Sequence, residues 1–169
     1  YTEALHLLGN PASTHAHGQF ASEQLEAARE RIARRLGADP ALVTLTGGGT
    51  ESINLAIKGF YWAAVRRANA RKSAETPVLL IAAGEHHATI EAAEWLRDAQ
   101  GAELRLLPLD GEGVLQPETL RAAIAEFGAS RIALVSFLWA NNEVGSLQPV
   151  AELAAIAREA GVPSHVDAA

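Results

Sequence analysis

The chain has 169 residues, 49% hydrophobic and 20% charged, a composition that suits a globular domain with its own core. Its net charge of -6 and lack of a Lys/Arg cluster argue against a nucleic-acid surface, and no apolar run approaches the length of a membrane span. With no cysteine, these residues hold no disulfide framework, thiolate metal site or thiol nucleophile, and no metal centre is predicted.

Residues Tyr1 to Gly18 read as irregular, with Asn10-Pro11 as a turn signal and histidines at His6, His15 and His17. Gln19 to Leu36 has a helical pattern, with Phe20, Leu25, Ala28, Ile32 and Leu36 on one apolar stripe, and Gly37 ends it. Asp39-Pro40 turns the chain into a short apolar run, Ala41 to Leu45, which reads as a first strand. Gly47, Gly48 and Gly49 follow, and a helix is predicted from about Thr50 to Asn69. Its basic end, Arg66-Arg67 to Arg71-Lys72, reads as a solvated helix terminus.

Val78 to Ala82 is a continuous apolar run, as expected of a strand buried on both faces. Helix His87 to Gln100, strand Glu103 to Leu107 and the turn at Asp110 to Gly113 come next. Pro117 to Phe127 reads as a helix with proline in its first turn, and Ile132 to Phe137 as a second buried strand. Asn141 to Gln148 is loop, Val150 to Ala160 a helix closed by Gly161, and Val162 to Val166 a last strand. Strands alternating with helices predict an α/β three-layer sandwich with a mostly parallel sheet. Ligands of such sheets gather outside the carboxyl ends of the strands.

That rule singles out four loops. A strand turning through glycines into a helix N-terminus is an anion site: first-turn N–H groups point outward and the helix dipole favours negative charge. Gly49 and Thr50 sit there, and Thr50 or Ser52 can add a hydroxyl. The stretch is neither a P-loop nor a dinucleotide fingerprint. The other loops carry Glu85-His86-His87, Asn141-Asn142-Glu143 and Asp167. A phosphate cradle, an imidazole, an amide and a carboxylate would together suit pyridoxal 5'-phosphate, whose pyridine nitrogen is held protonated by a carboxylate.

Five stretches carry a family resemblance: Asn10-Pro-Ala-Ser-Thr-His15, Thr46-Gly-Gly-Gly-Thr-Glu-Ser52 running on to Gly59, Glu85-His86, Asn141-Asn-Glu-Val-Gly145 and His165-Val-Asp-Ala168. In these the chain resembles the fold-type I, class V aminotransferase group, and most closely the cysteine desulfurases of the NifS/IscS type. The resemblance implies that residues 1–169 are the N-terminal portion of a pyridoxal-phosphate-binding large domain. The rest of that domain and a small domain would lie outside them. Gly49 and Thr50 would bind the phosphate. His86 would stack on the ring and take part in proton transfer, Asn142 would bond the ring hydroxyl, and Asp167 would pair with the ring nitrogen. Glycines stand where the family usually has a serine and an alanine in the phosphate loop, with backbone donors intact.

The lysine that the family joins to the cofactor, and its persulfide-forming cysteine, match no residue here; Lys58 and Lys72 are the only lysines. The chain opens without Met and reaches Ala169 directly after a predicted strand, so a segment of a longer protein is expected. The implied activity of the complete protein is removal of sulfur from L-cysteine, giving L-alanine and an enzyme persulfide for iron-sulfur or thio-cofactor synthesis. A homodimer, a sulfur-acceptor protein and a cytoplasmic location are implied with it. Two other readings stay open at this point: another class V enzyme, such as an aminotransferase or kynureninase-like lyase, or an inactive segment that only folds or assembles. Glu51 is read as a dipole-complementing residue, Asn141 as loop-shaping, and His165 as a packed histidine.

Overall fold

The computed structural model describes residues 8–169, so His6 lies outside the described residues. They fall into two compact units, one reaching to Thr46 and one spanning Gly47–Ala169.

The first unit holds helix α1, Ala16–Leu36. The His15 ring caps it by accepting from the Gly18 N–H at 3.3 Å, so the helix begins three residues before the predicted Gln19. Gly37 closes it in the left-handed conformation, at φ 64°. Its apolar stripe is only partly covered: Phe20 and Ile32 are 47% and 41% exposed.

The strand expected at Ala41 to Leu45 does not form. Pro40–Leu42 is a turn of 3-10 helix, started by proline and capped by Asp39, whose carboxylate accepts from the Ala41 N–H at 2.9 Å. Val43 to Leu45 is not part of any strand, and Leu42 is 80% exposed. Arg29 on α1 donates to the Val43 carbonyl, so that backbone is tied to a helix rather than to a sheet. A five-residue apolar run has no intrinsic claim to a strand, and local capping decides this one.

The second unit is the α/β sandwich. Its helices are α2 (Gly49–Ala70), α3 (His87–Gln100), α4 (Pro117–Phe127) and α5 (Val150–Glu159). Its strands are β1 (Val78–Ala82), β2 (Glu103–Leu107), β3 (Ile132–Leu138) and β4 (Ser164–Asp167). These form one sheet in the order β2-β1-β3-β4, with every pairing parallel. Period-two alternation sends neighbouring residues of β1 into opposite cores. Leu79 and Ile81 pack with Ile53, Ile57 and Tyr61 of α2 and Ala92 and Leu96 of α3. Val78 and Leu80 pack with Leu120 and Phe127 of α4 and Leu153 and Ile156 of α5. The layers are therefore α2 and α3, the sheet, and α4 and α5. Buried on both faces, β1 and β3 are apolar throughout except for Ser136, which is fully buried in β3.

The strand order locates the site. From the central pair, β1 connects outward to β2 and β3 connects outward to β4. The loops leaving the carboxyl ends of β1 and β3 diverge and leave a crevice between them.

Candidate active site

That crevice is a cleft of about 450 Å³ whose lining includes Gly84, Glu85, His86, Asn141, Asn142 and Glu143. The first three follow β1 and the last three follow β3. Asn141 joins the two loops: its amide donates to the Gly84 carbonyl at 3.1 Å. Its side-chain oxygen accepts from the N–H groups of Glu143 and Val144 at 2.8 and 3.0 Å. It therefore shapes the loop, as its sequence context predicts, and leaves Asn142 exposed at the cleft.

His86 is the N-cap of α3, with Nδ1 accepting from the Ala88 N–H at 3.2 Å. The ring has a structural task, which puts its hydrogen on Nε2 and fixes its orientation at the cleft wall. The exposed His87 ring lies against it, centroids 3.9 Å apart.

The other predicted residues do not line this cleft. Gly49 and Thr50 form the first turn of α2, whose N-cap Gly48 supplies no side chain to its N–H groups. Glu51 does more than complement the dipole: its carboxylate accepts from the Gly47 N–H at 2.7 Å. A Cβ built on Gly48 would meet nothing within 4 Å, and one on Gly49 would meet only the Ala169 side chain, at 3.6 Å. The chain's own packing thus leaves open space over the glycine turn, and the turn lies beside the end of β4. Asp167 stands there, half-buried, its carboxylate accepting from the Ala169 N–H at 3.1 Å. Its carbonyl accepts from the Trp139 N–H at 2.8 Å, which joins it to the loop after β3.

This donor set fits pyridoxal phosphate. A helix N-terminus whose N-cap is a glycine, followed by a threonine hydroxyl, suits the phosphate, an imidazole face suits the ring, and a carboxylate suits the pyridine nitrogen. Neither lysine reaches the cleft. Lys58 lies over the Trp95 ring, 4.4 Å from its centroid, and Lys72 follows the end of α2. Trp62 and Trp95 are 46% and 44% exposed, so neither is a core residue.

Sequence reasoning passed over one group of residues. Glu85 is only 8% exposed, and its Oε1 accepts from the Ser136 hydroxyl at 2.6 Å. Ser136 Oγ also lies 2.9 Å from Nδ1 of the largely buried His165. The second carboxyl oxygen of Glu85, Oε2, has no partner among the described residues. Burial, resisted by the Ser136 hydroxyl and more weakly by Thr89, pushes the Glu85 carboxyl up to about 7; the Asp167 charge pushes the same way. Thr89 acts without a hydrogen bond to the carboxyl. Burial lowers the His165 imidazole, and Asp167 opposes that shift. The one available signal was the polar serine within the apolar run of β3.

A model of the family described as aminotransferase class-V matches residues 2–169. An "IscS-like cysteine desulfurase" of Mycobacterium tuberculosis is 44% identical over 163 residues, covering 95% of this chain and 39% of the relative. A "Cysteine desulfurase IscS" of Dictyoglomus turgidum is 37% identical over 95% of this chain and 37% of its own length. Among solved structures, a "NifS-like protein" matches with a TM-score of 0.81 at 32% identity, over 95% of this chain and 41% of that one. "SspA in complex with cysteine" matches with a TM-score of 0.83 at 29% identity, over 96% and 43%. The chain thus spans about two fifths of the length of the proteins it matches.

Proposed function

Since the chain belongs to the class-V aminotransferase family, we propose that residues 1–169 are the N-terminal portion of a pyridoxal-phosphate-binding large domain. The complete protein would remove sulfur from L-cysteine, leaving L-alanine and an enzyme persulfide for iron-sulfur or thio-cofactor synthesis. The observation that carries this reading is convergence. The carboxyl ends of β1, β3 and β4 lie at one end of the parallel sheet, where the loops after β1 and β3 line one cleft and Gly49 lies beside Ala169, just past β4.

When bound, pyridoxal phosphate supplies an electron sink that stabilises negative charge at the substrate α-carbon. The chain's own residues would prepare that chemistry. Gly49 and Thr50 would hold the phosphate with first-turn N–H groups and a hydroxyl. Asp167 would keep a proton on the pyridine nitrogen by charge pairing. His86, oriented by its capping bond to Ala88, would present its ring face to the cofactor; with Nδ1 engaged in the cap and hydrogen on Nε2, its part in proton transfer would be that of a hydrogen-bond donor. Asn142 would bond the ring hydroxyl, with Asn141 holding its loop. The cofactor-joining lysine and the sulfur-accepting cysteine would come from the rest of the protein. A homodimer in the cytoplasm, passing sulfur to an acceptor protein, belongs to the same proposal. L-Cysteine as substrate is supported by the names of the relatives and by a cysteine-bound structural neighbour.

The test uses the intact, cofactor-loaded protein with L-cysteine and a reductant. Sulfide and alanine should appear in equal amounts, and borohydride should abolish both the visible absorbance and the activity. Transamination of another amino acid without sulfide release would overturn the desulfurase reading.

A further inference from the structure

We propose that Glu85, Ser136 and His165 form a proton-linked positioning chain, in which the proton on Glu85 decides, through the Ser136 hydroxyl, which ring nitrogen of His165 carries hydrogen. The three residues come from three segments that only the fold brings together: the loop after β1, the middle of β3 and the start of β4. Ser136 is directly opposite His165 in the β3–β4 register and opposite Ile81 in the β1–β3 register. Its hydroxyl therefore sits between the other two groups, at 2.6 Å from Glu85 Oε1 and 2.9 Å from His165 Nδ1.

A hydroxyl has one hydrogen, so Ser136 donates in one direction and accepts from the other. With Glu85 neutral, Oε1–H donates to Ser136 Oγ and Ser136 donates to His165 Nδ1. The imidazole hydrogen is then on Nε2. With Glu85 ionised, Ser136 donates to Oε1 and Nδ1–H donates to Ser136, leaving Nε2 bare. The two states differ by one proton. Passing from the first to the second, the Glu85 hydrogen moves to Ser136, the Ser136 hydrogen moves to Nδ1, and the Nε2 hydrogen leaves to solvent. Every covalent O–H or N–H bond broken along the chain is matched by one formed, apart from that single departing proton.

Both states are accessible near neutral pH because burial outweighs the hydrogen bonds to the carboxyl and brings it up to about 7. Burial and the Asp167 carboxylate favour the neutral acid; the Ser136 hydroxyl, Thr89 and the His86 N–H favour the anion. Burial holds the His165 imidazole below its ordinary value, against the opposing pull of the Asp167 charge, which favours a change of tautomer over a gain of charge. The unpartnered Oε2 fits the same picture. As the carbonyl oxygen of a neutral acid it costs less than it would as half of a buried anion. His165 and Asp167 share one strand face, and the Asp167 charge acts on both His165 and Glu85. The bearing of this chain on a cofactor rests on the pyridoxal phosphate reading; the tautomer exchange itself does not.

The test is 15N NMR of the intact protein, free of cofactor and labelled at histidine, with the His165 signals identified by their loss in His165→Gln. Protonated and bare ring nitrogens have well-separated shifts. Between pH 6 and pH 8.5, His165 should exchange its Nε2 hydrogen for one on Nδ1, with a midpoint of about 7. Glu85→Gln, which keeps the shape and cannot ionise, should hold one tautomer at every pH. Ser136→Ala should likewise lose the exchange. A single tautomer across the range in the unaltered protein, or an exchange that survives Glu85→Gln, would overturn the proposal. Because no cofactor is present, either result leaves the desulfurase assay an independent question.

Discussion

Replacing Glu85 by glutamine should stabilise the protein at alkaline pH and leave it unchanged in acid. Glu85 is 8% exposed, and its carboxyl is pushed from an ordinary 4.5 up to about 7. Such a shift is worth about 3 kcal/mol at ~1.4 kcal/mol per unit, an upper figure because the surroundings relax around a buried charge. The sign follows from proton uptake. Between pH 4.5 and about 7 the folded protein holds this proton more tightly than the unfolded chain, so stability falls as pH rises through that window and levels off above it. Glutamine removes the ionisation. Allowing for desolvation of the amide, the variant should exceed the parent by roughly 1–3 kcal/mol at pH 8. The gap should close toward pH 5. Urea unfolding of the cofactor-free protein, followed by fluorescence of Trp62, Trp95 and Trp139, measures both. A variant no more stable than the parent at pH 8, with the same loss of stability between pH 5 and 7, refutes the reasoning.

His86 combines a cap and a ring, and two substitutions separate them. His86→Asn should keep the cap and the stability but weaken pyridoxal phosphate binding. His86→Phe should lose about 1 kcal/mol of stability while retaining most of the affinity; denaturation and equilibrium dialysis read the two effects. Thr50→Val should weaken cofactor binding roughly 10-fold or more, the worth of one hydrogen bond to a charged group, without lowering the melting temperature of the cofactor-free protein. Asp167→Ala should cut turnover by about 100-fold or more while phosphate-anchored binding persists, and unchanged turnover would remove Asp167 from its assigned role. Asn141→Ala deletes three loop bonds and should cost about 1–3 kcal/mol, visible as faster hydrogen exchange at Glu143 and Val144.

Much of the architecture was written in local pattern. Val78–Ala82 and Glu103–Leu107 are strands, and His87–Gln100 and Pro117–Phe127 are helices, at the predicted bounds. Apolar runs, glycine stops and a first-turn proline act over a few residues, so they are readable without the fold. The run at Ala41–Leu45 misled because hydrophobicity says nothing about whether a neighbouring strand exists. There Asp39, Pro40 and Arg29 impose a turn. Spacing and motif order were enough to bring Gly49, Thr50, His86, Asn142 and Asp167 forward as candidates. Only the strand order could decide that His86 and Asn142 share one cleft, and that the α2 N-terminus stands beside the end of β4 instead. Glu85 marks the limit most clearly. Its identity was in view, but its chemistry depends on burial and on Ser136, 51 residues away, and on the His165 that Ser136 also meets. Proton affinity is a property of surroundings, and surroundings exist only once the sheet has formed.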